Sequence, residues 1–490
     1  MAGYSNLEPE TRLVNILQFD TRQYWLILSV VLYMVIMLLV GLWSSRRITN
    51  TRDYIIAGGR LGWLLGIGTL FATWFGGETC MGSSRMAFEE GLLGVIADPF
   101  GAGLCLILSG LFFTKVFRRM QLTTIIDYFE WRYGGTLGRI FSVLYLPVYL
   151  GWLGGQLLAF GLIINALVGI PTLNAILLST GVVLLYTYSG GMWAVSVTDF
   201  LQMVFIVLGL LVLFPLLVTD LGGFAQLHRR LPEHVFHFYP REVGVLGWLG
   251  YLQAWMMVGI GSLPAQDLFQ RIMAPKSERI ASLGAIFAGL LYLIIGLLPV
   301  FLGIYGRVAL PGSDGESILI ELAQKYLPLP LMVLMLGALL SAIMSSADSA
   351  LLAPAGIIGH NIIPCILPTL SEEGKLRWCR YAILLVCGSS LLMALYFQNV
   401  YELCTNAWGV LLVGLAAPMI LGVFWKGANA WGAGAGALVG VVSWIGLGLT
   451  LSDDHPVYLY AFFLNVLTLV LGSILATNWY APQDRFPLRS

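Results

Sequence analysis

Residues 68–82, GTLFATWFGGETCMG, set two adjacent glycines and a glutamate inside an apolar stretch. Gly76 and Gly77 break a helix there, and a broken helix leaves carbonyl oxygens without their internal partners. Farther along, ALLSAIMSSADSALL places Ala342, Ser345, Ser346 and Ser349 at i, i+3, i+4 and i+7, on one helix face, with Asp348 among them. Asp199, in VSVTDFLQMVF, is another acid within an apolar run. A lone serine in such a helix bonds back to the preceding turn. A carboxylate at mid-helix is different, because on insertion scales it costs about 2.5–3.5 kcal/mol and normally faces a cavity or a cation. Carbonyls, hydroxyls and carboxylates together are the ligands of a hard cation. With no Lys or Arg expected at a helix centre, Asp199 and Asp348 imply an inorganic cation as counter-charge.

These residues need a membrane to make sense of their surroundings. Of 490 residues, 58% are hydrophobic and 11% charged, and the mean hydropathy is +0.84. Soluble domains carry roughly 25% charged residues, which excludes that class. Apolar runs of spanning length recur. Thirteen are predicted, near 24–44, 62–81, 87–114, 138–167, 173–189, 193–218, 246–266, 280–306, 330–358, 379–397, 402–424, 429–450 and 456–477. The chain is thus expected to be an all-α polytopic membrane protein, without a cleaved leader. A second break, VGIGSLPAQ with Gly259, Gly261 and Pro264, lies five segments after the first. Glycine packing between helices would account for one break, but two in register point to a binding site between inverted repeats.

Charge asymmetry orients the chain. With the N-terminus outside, 18 of the 26 Lys and Arg, Arg271 among them, fall on the cytoplasmic side. The C-terminus is then cytoplasmic, and a plasma (inner) membrane location is expected. The six cysteines form no CxxC pair and read as packing residues. His228, His234 and His237 share an exterior loop whose spacing matches no zinc signature.

Seven stretches carry a resemblance along nearly the whole chain: AGGRLGWLLGIGTLFATWFGG, AFEEGL, TTIIDYFEWRYG, YTYSGGMWAVSVTDFLQ, AQDLFQRIMAPKS, LLSAIMSSADSALL and GVFWKGANAWGAGAG. In this order they resemble the sodium:solute symporter family. The resemblance implies a LeuT-type 5+5 inverted-repeat core with one helix before it and two after. Residues 1–61 would hold the tail and first helix, 62–424 the core (62–218 and 246–424 its repeats), and 425–490 the two extra helices and tail. It further implies a sodium site from the carbonyls of Ala72, Phe75 and Ala342 and the hydroxyls of Ser345 and Ser346. Some members bind a second cation, which would here use Asp199, Ser345, Asp348 and Ser349. Because Asp348 is an acid where those members have a hydroxyl, a proton is the alternative to a second sodium.

The solute is expected to meet Trp74, Glu78, Thr79, Gln156, Ser262, Asn406 and Trp408, with Trp152 and Glu89 as further candidates. ATWFGG is similar to the choline-transporting branch, where tryptophans cage a quaternary ammonium. Tryptophan faces attract cations by about 0.5–2 kcal/mol, yet with 15 tryptophans most must anchor or pack. The expected partners are therefore sodium, the bilayer and a small amine, amino acid or monocarboxylate, with no nucleic acid. A channel would need a polar stripe or carbonyl ring, and an enzyme a histidine-centred cluster at membrane depth; neither pattern is present. A transporter-like solute sensor and a proton-coupled symporter remain the alternatives to sodium-driven uptake.

Overall fold

The structure is a computed structural model that describes residues 21–476, save 242–243, 314, 316, 397–399 and 453. The two terminal tails fall outside the described residues. Within them, ten helices are long and apolar enough to cross a membrane. Three of the thirteen expected segments are shorter: Trp63–Trp74, Thr172–Leu185 and Val245–Gly259. The reason is local. Two of them stop at the breaks, and the third joins the segment after it. That pair forms one element, Thr172–Asp220, bent at Gly191, whose φ of 45° suits only a residue without Cβ.

No β-strand occurs among the described residues; one isolated bridge joins Leu61 to Pro275. Leu61 N–H donates to Ala274 (2.9 Å), and Lys276 N–H donates to Leu61 (2.9 Å). This bridge ties the start of the first broken helix to the end of the second. The serine-bearing helix, Leu329–Ile357, is buried from Leu336 onward and packs on Thr172–Asp220 and Gly135–Val168.

The stretch TTIIDYFEWRYG forms a packed helix, Ile125–Tyr133. Thr124 and Asp127 cap its first turn reciprocally. Arg132 is buried, and its guanidinium donates to the carbonyls of Gly422 (3.0 Å), Trp425 (3.2 Å) and Lys426 (3.2 Å), closing the end of Ala417–Phe424.

Candidate functional site

The first broken helix ends at Trp74 and resumes at Glu78. Several of the groups freed by the break have identifiable partners. Gly76 N–H turns to Trp74 O (2.9 Å), and Gly77 N–H goes to Gln156 Oε1 (3.0 Å). In an unbroken helix those two amides would bond the carbonyls of Ala72 and Thr73. Ser345 Oγ donates instead to Ala72 O (2.7 Å) and Ala342 O (3.0 Å), and Ser346 Oγ to Thr73 O (2.7 Å). Carbonyls of the break and hydroxyls of the serine helix thus converge. Four of the five residues expected at a sodium site meet there, and Phe75 is the last residue of the same turn.

Gly76 leaves no room for a side chain. A Cβ there would overlap the Ser346 hydroxyl and stand 2.6 Å from Glu78 Oε2. Gly76→Ala should therefore cost about 1–3 kcal/mol of local fit and reduce uptake at least about tenfold. Uptake normalised to protein in the membrane measures this, and undiminished uptake would show that the break tolerates bulk.

Beside the break lies a small cavity whose wall includes Trp74, Glu78, Asp98, Tyr292, Cys404 and Trp408. Its lining side chains are buried in the protein. Three tryptophans meet: ring centroids of Trp74 and Trp408 are 5.9 Å apart, and those of Trp152 and Trp408 are 4.9 Å apart. Glu78 accepts from Trp152 Nε1 (3.0 Å) and Gln156 Nε2 (2.6 Å). Thr79 Oγ1 donates to Asp98 Oδ2 (2.6 Å), and Tyr292 OH lies 2.9 Å from Asp98 Oδ1 and 2.8 Å from Trp74 O. Behind the ring, Trp74 Nε1 donates to Asp267 Oδ2 (2.6 Å), and Tyr149 OH donates to Asp267 Oδ1 (2.8 Å).

One expectation is corrected. Arg271, read from the sequence as a cytoplasmic loop charge, is fully buried in the short helix Gln266–Met273 after the second break. Its Nη2 lies 3.6 Å from Asp199 Oδ2 and donates to Ser349 Oγ; its Nε and Nη1 donate to Thr69 O (3.3 Å) and Asp267 O (3.1 Å). Asp199 also accepts from Thr69 Oγ1 (2.5 Å), and Ser349 donates to Asp348 Oδ1 (3.0 Å). The counter-charge at this cluster is a guanidinium, so the premise that no arginine reaches a helix centre does not hold.

The remaining expected solute residues are dispersed. Ser262 sits in the second break, buried, with no hydrogen-bond partner for Oγ among the described residues. Asn406 falls in Val400–Leu411, but its side chain lies outside the described residues. Glu89 faces outward and pairs with Arg85 (2.8 Å). Asp98, Tyr292, Asp267, Tyr149 and Arg271 were missed. Asp98 gave the same signal as Asp199, an acid in an apolar run, and Asp267 lies three residues beyond Pro264 of the second break.

Residues 54–440 match the model of the sodium:solute symporter family. The high-affinity choline transporter 1 of Caenorhabditis elegans is 29% identical over 453 residues, 85% of this chain and 76% of its own length. The osmoregulated proline transporter OpuE of Bacillus subtilis is 27% identical over 475 residues, 92% and 94% of the two chains. Among solved structures, a sodium-coupled sialic acid symporter in a substrate-bound outward-open state superposes with a TM-score of 0.79 at 21% identity, covering 95% of this chain and 99% of its own. That likeness shows the fold. A family match over most of the chain shows more: this is a multi-pass membrane protein that belongs to the sodium:solute symporter family, and its function is solute symport.

Proposed function

We propose that this symporter couples one sodium ion to the import of a small amine. The observation that carries the reading is the cavity itself, where Trp74 and Trp408 share a wall with Glu78 and Asp98. Aromatic faces and carboxylates suit a cationic nitrogen and repel a carboxylate solute. The indole N–H of Trp74, donated to Asp267, adds electron density to the ring face that a cation would meet. The choline transporters among the relatives support the same class.

Sodium would take the oxygens of Ala72, Phe75, Ala342, Ser345 and Ser346, a reading supported by the contacts of the Ser345 hydroxyl with the carbonyls of Ala72 and Ala342. Asp199, Asp348 and Ser349 cluster with Arg271, which supports a single coupled ion over a second sodium or a proton there. Thirteen crossings, repeats at 62–218 and 246–424, an outside N-terminus and a plasma membrane location complete the reading.

Trp74→Leu should weaken amine binding by about 1–2 kcal/mol, while Trp74→Phe should keep part of the affinity. Sodium-dependent counterflow of labelled choline and smaller amines in proteoliposomes tests this. Equal apparent affinity in wild type and Trp74→Leu would remove the tryptophan, and the amine reading with it.

A further inference from the structure

The cavity wall carries two carboxylates, and one ammonium on an aromatic face would answer only one of them. Both oxygens of Glu78 are held by neutral donors, Trp152 and Gln156. Asp98 is likewise held by the hydroxyls of Thr79 and Tyr292. Among the described residues, no ion pair involves either acid. The buried guanidinium of Arg271 is engaged with Asp199, Ser349 and two carbonyls, and it does not line the cavity. Two buried carboxylates without a cation between them are strongly unfavourable as a pair of charges, and either a proton on one of them or a cationic ligand relieves this. Neutral donors placed on each oxygen orient the carboxylates yet leave lone pairs free to accept from an ammonium.

We infer that the preferred solute is a dication, a short α,ω-diamine, whose two ammonium groups answer Glu78 and Asp98 in the tryptophan-walled cavity. Glu78 and Asp98 line the same small cavity, which favours a chain of only a few carbons between the two charges. The inference rests on the amine reading above but goes further, since that reading is satisfied by any monocation.

The test compares binding of 1,4-diaminobutane, 1-aminobutane and choline to the full chain in nanodiscs with sodium. The diamine should bind at least about tenfold tighter than 1-aminobutane. In Glu78→Gln/Asp98→Asn that ratio should fall to about one, because each neutralised acid removes the reason for a second charge. A wild-type protein that binds 1-aminobutane or choline as tightly as the diamine overturns the dication and leaves the amine reading standing. One acid would then carry a proton. Should none of the three bind, the amine reading fails and takes this inference with it. The wild-type ratio decides the matter even where the double variant does not fold.

Discussion

Replacing Arg271 by glutamine is expected to destabilise the protein by about 3–5 kcal/mol, the cost of leaving a buried acid without its cation. Asp199, Ser349, Thr69 and Asp267 would all lose a donor at once. The double variant Arg271→Gln/Asp199→Asn should regain part of the loss, since it removes the stranded charge too. Thermal unfolding of the four proteins of this cycle in detergent measures the coupling. If the two single losses simply add, the pair is incidental and Asp199 has another counter-charge.

A second large effect is expected at the serine helix. Each of Ser345 and Ser346 presents a hydroxyl to a carbonyl of the break, the geometry in which both oxygens can turn to a cation. Loss of a hydrogen-bonding group to a charged partner costs about 1.5–3 kcal/mol. Ser345→Ala/Ser346→Ala should therefore raise the sodium concentration for half-maximal uptake by about 100-fold or more. Insertion and folding should persist, because alanine suits a membrane helix and the lost bonds are three among many. Unchanged sodium dependence in a well-folded double variant would place the ion elsewhere.

The parts of this site that could be read from the sequence are those written within one element. Two glycines and a glutamate in an apolar run mark a break, and four residues at i, i+3, i+4 and i+7 mark a face; both lie where expected. The sequence concealed whatever depends on two elements meeting. Arg271 follows the break closely, so a hydropathy scan ends its segment before reaching it, and nothing within that segment shows that its helix is drawn into the core. From the sequence Trp152 reads as a solute contact or as an anchor, because nothing in its own segment announces the carboxylate of Glu78, 74 positions away, that accepts its N–H. Asp98 and Tyr292 meet across 194 positions. Periodicity carries no information at such separations.

Cys404 on the cavity wall gives the molecule a chemical clock. Its sulfur is buried beside Gln156, and the described cysteines are all free thiols, of which Cys365 alone is exposed. A small charged thiol reagent cannot touch a sulfur buried this deeply and needs water to reach a reactive thiolate. With Cys365 changed to serine, labelling at Cys404 would proceed only during the intervals in which the cavity communicates with solvent. The labelling rate would then count those openings, one membrane face at a time, without any substrate having to move.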